Sequence, residues 1–136
     1  MKIIFDENII KYISLVESLT GASVKDCIMN SKLIFIIKET DIGKAIGKKG
    51  SNIKKMEHIL HKKIKMVEFS SDVLQFIKNF IYPIEVVEIK KDSSNIIIKG
   101  NNVKTKGLLI GRNKANLNLL TNVTKRYFEI NEIKVI

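Results

Sequence analysis

Two glycines bracket two lysines in the segment Gly47-Lys48-Lys49-Gly50, and this arrangement suits the binding of a phosphate. Glycine adopts positive φ and lets another molecule approach the main chain closely. A helix is predicted directly after the loop, and its N-terminus presents free N–H groups and the positive end of its dipole. Because lysine adds charge without reading bases, the segment predicts a contact to a nucleic-acid backbone. A helix–helix turn with solvated lysines is the alternative.

The residues around this loop are basic and aliphatic. Residues 44–65 contain eight lysines and one acid, and residues 93–128 contain seven basic residues and no acid. Ile42, Ile46 and Ile53 are spaced so that they can line an apolar wall beside the loop, against which bases pack. The candidate RNA-binding residues here are Ile42, Gly43, Ile46, Gly47, Lys48, Lys49, Gly50, Ser51, Lys54 and Lys55.

The loop has a second copy further along the chain. A shift of 64 positions takes Gly47 to Gly111, and takes Asn52, a predicted helix-start residue, to Asn116. One shift that holds across a whole unit indicates a duplication. Lys114 replaces the closing glycine, and since its β-carbon makes positive φ costly, we expect a backbone contact with altered geometry. The candidate residues of this second site are Gly107, Ile110, Gly111, Arg112, Asn113 and Lys114.

The elements around each loop are predicted in the order helix-strand-strand-helix-helix-strand, twice. Helical spacing of apolar residues, β-rich runs and the turn and cap residues between them support this order. The first set is predicted at residues 6–19, 23–29, 32–38, 41–46, 51–61 and 63–69. The second set is predicted at residues 73–81, 84–90, 95–99, 103–110, 114–128 and 130–136. The predicted domains are therefore residues 1–69 and residues 70–136.

Composition favours an anionic partner. The chain has 136 residues and a net charge of +10, and nucleic acid is the commonest partner of such a protein. An anionic membrane surface and simple solubility are the alternatives. No run of about 18 apolar residues is present, so no membrane-spanning helix is predicted. Cys27 is the only cysteine, which fits a reducing compartment, and we expect a cytoplasmic protein.

Catalytic and cofactor sites are not expected. A Walker A loop needs four residues between its glycines and a Ser or Thr after Gly-Lys, but three residues separate Gly43 from Gly47, and Lys49 stands at the hydroxyl position. His58 and His61 are three residues apart without further ligands to complete a structural metal site. We therefore expect no enzyme activity, cofactor, metal or small-molecule substrate.

The basic Gly-x-x-Gly loop, preceded by a helix and a hairpin and followed by a helix and a strand, resembles the KH domain. That family clamps the backbone of about four nucleotides of single-stranded nucleic acid at such a loop. The order of elements is similar to the type II, prokaryotic arrangement. The resemblance implies an α/β (α+β) fold of two tandem type II KH domains, each a three-stranded mixed sheet with helices packed on one face.

A bare pair of such units with almost no linker resembles the archaeal NusA-like proteins. That resemblance implies a single-stranded RNA-binding protein acting in transcription elongation or termination, with RNA polymerase as a protein partner and no membrane partner. Two alternatives stay open at this point. One is a ribosome-assembly or ribosome-associated KH protein, and the other is a scaffold that docks on polymerase and binds RNA weakly.

Overall fold

A computed structural model describes residues 7–136, so the predicted helix start at Asp6 lies outside the described residues. The chain divides into two compact units, with the boundary in sequence between Ser70 and Ser71. Within residues 7–136, no helix is long and apolar enough to cross a membrane. Each unit has its own three-stranded mixed sheet and its own helices, so the predicted α+β class is confirmed.

The first unit contains three helices and three strands. Strands β1 and β2 pair antiparallel, β2 and β3 pair parallel, and β2 is central. The elements are α1 (Glu7–Thr20), β1 (Val24–Met29), β2 (Leu33–Ile37), α2 (Ile42–Ile46), a 3₁₀ turn (Lys48–Gly50), α3 (Ser51–Leu60) and β3 (Ile64–Glu68). All six predicted elements of this unit are present, and the ends that lie within the described residues differ from the prediction by at most one residue.

Strand β2 is buried along its whole length, and its alternate side chains organise the core of the first unit. Phe35 and Ile37 join a buried cluster with Val16 of α1, Ala45 of α2 and Met56 of α3. Side chains alternate between the faces of a strand, so these helices pack on one face of the sheet. This packing holds α2 and α3 at fixed positions on either side of the glycine loop.

The second unit repeats the same order of elements. Strands β4 and β5 pair antiparallel, β5 and β6 pair parallel, and β5 is central. The elements are α4 (Val73–Ile81), β4 (Glu88–Asp92), β5 (Asn95–Lys99), α5 (Val103–Ile110), a 3₁₀ turn (Arg112–Lys114), α6 (Ala115–Lys125) and β6 (Ile133–Val135). The Phe76 ring lies 5.9 Å from the Tyr127 ring and 5.6 Å from the Phe128 ring, so these aromatics pack inside the unit.

The first strand of the second unit begins later than predicted. The sequence predicts residues 84–90, whereas β4 spans Glu88–Asp92. Pro83 has no N–H group, and the N–H of Ile84 donates to the Ile81 carbonyl at 2.9 Å, which turns the chain after α4. Pairing with β5 starts where the N–H of Val87 donates to the Lys99 carbonyl at 2.8 Å. Residues 82–87 are therefore an irregular connection.

Candidate nucleic-acid interface

The two loops have the same backbone conformation. Gly47 has φ 77° and ψ 167°, and Gly111 has φ 74° and ψ 172°. The closing residues are both left-handed, with φ 74° and ψ 18° at Gly50 and φ 63° and ψ 20° at Lys114. The expectation that Lys114 alters the second loop is therefore wrong.

The closing position tolerates a side chain because nothing crowds it. A β-carbon added to Gly50 would meet no heavy atom within 4 Å. A non-glycine residue there costs only the left-handed conformation, about 1–2 kcal/mol. Lys114 carries this cost, and its side chain is exposed. The structure thus explains how the second loop keeps its shape with one glycine fewer.

The opening position requires glycine in both loops. The region near φ 75° and ψ 170°, occupied by Gly47 and Gly111, is essentially restricted to glycine. A β-carbon on Gly47 would also lie 2.8 Å from Asn52 Cγ, and one on Gly111 would lie 2.6 Å from Asn116 Cγ. These distances are shorter than any ordinary carbon contact, so the loop and the asparagine pack as one unit.

An asparagine fastens each loop across its base. Asn52 Nδ2 donates to the Lys44 carbonyl at 2.8 Å, and Asn116 Nδ2 donates to the Leu108 carbonyl at 2.9 Å. Each bond joins the helix after the loop to the helix before it. The sequence interpretation of Asn52 as a helix-start residue missed this role, although the shift of 64 positions that pairs it with Asn116 was a usable signal.

The loop's own hydrogen bonds determine which N–H groups face a ligand. The N–H of Gly47 donates to Gly43 at 3.0 Å, that of Gly50 donates to Gly47 at 3.1 Å, and that of Ser51 donates to Lys48. The groups left to meet a phosphate are therefore on Lys48 and Lys49. The second loop bonds in the same pattern, since Gly111 donates to Gly107 and Lys114 donates to Gly111, which leaves Arg112 and Asn113.

The charged side chains around both loops point to solvent. Lys48 and Lys49 are exposed, as are Arg112, Asn113 and Lys114 in the second loop. The same is true of the candidates Lys54 and Lys55 on α3, of the loop-following Ser51, and of Gly43 and Gly107 on the preceding helices. This side of each helix pair is therefore accessible to an anion.

The aliphatic candidates divide between two roles. Ile42 and Ile53 are half-buried and pack against the core cluster of the first unit, so much of their surface belongs to the fold. Ile46 and its counterpart Ile110 are also half-buried, directly before the opening glycine of each loop. The part of these side chains that stays exposed is the apolar surface available to a base.

Lys65 is a basic group with a shifted pKa. It lies on β3 opposite Ile34 of β2. Burial, together with the smaller effect of the positive charge of Lys32, lowers the pKa of Lys65 from 10.5 to about 8. Lys65 is therefore less suited to a solvent-facing contact than the exposed loop lysines.

Comparison with protein-family profiles matches residues 10–92 to the KH domain. The chain belongs to the KH-domain family. The matched residues include the first loop of this KH protein, with its glycines at positions 47 and 50. The second loop follows the matched region and repeats its backbone conformation residue by residue.

Relatives of this KH protein cover nearly all of its length. A protein of Methanococcus vannielii, named "Probable transcription termination protein NusA", is 36% identical over 140 residues, which covers 100% of this chain and 81% of the relative. A protein of Methanocaldococcus jannaschii with the same name is 36% identical and covers 96% of this chain and 73% of the relative. The crystal structure of APE1850 superposes with a TM-score of 0.73 at 27% identity, covering 97% of this chain and 100% of that one.

Proposed function

We propose that this chain is a cytoplasmic single-stranded RNA-binding protein that acts in transcription elongation or termination. The proposal treats residues 1–69 and 70–136 as two tandem type II KH domains, each with one RNA-binding loop. The observation that carries it is the repeated loop geometry, because each unit presents main-chain N–H groups beside exposed cations in the same backbone conformation. The names of the archaeal relatives support the role in transcription, and RNA polymerase is the proposed protein partner.

Each loop binds the RNA backbone through main-chain N–H groups and the cations beside them. In the first loop the N–H groups of Lys48 and Lys49 face a phosphate, and the two ammonium groups add long-range attraction. Bases of the unpaired strand lie against the exposed surface of Ile46 and its neighbours. Contacts of this kind position a strand without dictating its sequence, and the proposed role is binding without catalysis.

The test is a double charge reversal in the first loop. Replacing Lys48 and Lys49 with Asp should weaken binding of a single-stranded RNA oligonucleotide by more than tenfold, measured by fluorescence anisotropy at fixed salt. Each phosphate contact that is lost should also flatten the dependence of log K on log salt by about 0.7. The matched control replaces Lys90 and Lys91, two exposed lysines of β4, with Asp.

The control distinguishes specific binding at the loop from non-specific attraction by the protein's net charge. Both double variants change the net charge by the same amount, so non-specific attraction falls equally. If the β4 variant weakens binding as much as the loop variant, the loop has no special role and the proposal fails. The same reversal at Arg112 and Lys114 asks whether the second loop contributes, and a loss of affinity with a flatter salt slope is the expected result.

A further inference from the structure

A groove of about 600 Å³ lies within the second unit, between α4 and the connection that leads to β4. Six of its thirteen lining residues are aliphatic, with Leu74 and Ile81 contributed by α4. At its mouth, Tyr82 is 73% exposed and Val87 is 59% exposed. Large apolar side chains clustered at a surface mark a place where another molecule binds.

The groove lies where α4 ends and the chain turns toward β4. Helix α1 runs for 14 residues and α4 for 9, and the helix ends just before Pro83, as expected when a proline follows. Residues 82–87 then cross to β4 as irregular chain. The groove is therefore formed by the end of α4 and the irregular connection that follows it.

The charge of the groove is opposite to that of the protein. Asp72, Glu85 and Glu88 line it against a single lysine, Lys78. Lys90 Nζ lies 4.0 Å from Glu88, but both side chains are more than half exposed, so water screens this pair. In a chain of net charge +10, this surface repels phosphate and attracts cations.

We propose that this groove docks a short segment of a partner protein that carries aliphatic or aromatic side chains beside lysine or arginine. The apolar side chains fill the space between Leu74, Ile81 and Val87, and the cations meet Glu85 and Glu88. The acidic lining disfavours RNA and anionic lipid, and the net charge of +10 disfavours a second copy of this chain. The protein thus binds RNA with its loops and a protein with a separate surface.

The experiment pans a phage-displayed library of random short peptides against the full chain, then measures enriched peptides by fluorescence anisotropy and NMR. The enriched peptides should combine apolar residues with Lys or Arg, and the shifted amides should lie in residues 72–89. Val87→Asp should weaken binding about tenfold, since buried apolar anchors dominate interface energy. Replacing Glu85 and Glu88 with Gln should weaken binding of the same peptides and make the affinity less sensitive to salt.

Val103→Asp is the matched control, because Val103 is 84% exposed and lies outside the groove. It should leave peptide affinity unchanged, and Tyr82→Ser serves as a second groove variant if Val87→Asp lowers the unfolding temperature. The proposal is overturned if no peptide is enriched, or if enriched peptides bind the groove variants as well as the parent. It is also overturned if single-stranded RNA shifts the amides of residues 72–89, or if Val87→Asp abolishes self-association seen in the parent.

Discussion

Replacing each glycine of the first loop with alanine should separate two structural requirements that a Gly-x-x-Gly pattern treats as equal. Gly50 is left-handed and has open space where a β-carbon would project. Gly47 is in a glycine-only region, and its β-carbon would lie 2.8 Å from Asn52 Cγ and 2.9 Å from the Asn52 main-chain nitrogen. The two substitutions therefore differ in both conformational cost and packing.

The expected magnitudes follow from these contacts. Gly50→Ala costs about 1 kcal/mol of unfolding free energy, since the left-handed penalty is partly offset by the reduced entropy of the unfolded chain. Gly47→Ala costs roughly 3 kcal/mol, which combines backbone strain with loss of the bond from Asn52 Nδ2 to Lys44. Lys114→Gly removes the left-handed penalty from the second loop and should stabilise the protein by up to about 1 kcal/mol.

Urea unfolding followed by circular dichroism measures these differences, and amide exchange by NMR locates them within residues 42–56. RNA affinity should fall further for Gly47→Ala than for Gly50→Ala, because only the former displaces Asn52. Equal destabilisation by the two alanines would refute the reasoning, since it would mean that the contact with Asn52 contributes nothing. A Lys114→Gly variant less stable than the parent would refute the cost assigned to the closing residue.

Two further predictions concern single side chains. Asn52→Ala and Asn116→Ala should each cost about 1 kcal/mol and speed amide exchange at the loop of their own unit, whereas Asn122→Ala, exposed on α6, should do neither. Lys65→Met should stabilise the protein at pH 7 by about 1 kcal/mol, after allowance for partial exposure. The folded-state pKa of Lys65 is about 8 and lies below the ordinary value of 10.5. Between these two pH values the unfolded chain binds more protons than the folded chain, so the stability of the parent protein rises with pH. Urea titrations at pH 7 and pH 10 should show that the stability gained by the Met variant is smaller at pH 10. A gain that stays constant would contradict the lowered pKa of Lys65.

The sequence predicts most of the fold because the two units carry the same pattern. Helical spacing and β-rich runs locate every element of the first unit, and the shift of 64 positions places the second loop. The start of β4 is missed because the aliphatic run after Pro83 has strand composition, while the hydrogen bond from Ile84 to Ile81 turns it. Local composition does not reveal such a turn.

The site was less predictable than the fold, for reasons visible at particular residues. A general penalty on positive φ suggests that Lys114 reshapes the second loop, but about 1–2 kcal/mol is less than the cost of breaking the bonds that hold the loop closed. An asparagine at a helix start can cap its own helix or form a hydrogen bond to another helix. Only the geometry shows that Asn52 reaches Lys44.

The open space beyond the closing residue also determines how a duplicated loop can diverge. A change at position 50 or 114 alters charge at a conformational cost alone, whereas a change at position 47 or 111 must also move an asparagine. The closing glycine is therefore easier to replace than the opening glycine, and the second loop has Lys114 at the closing position. Such an exchange leaves the backbone intact and gives the two copies different attraction for the same strand.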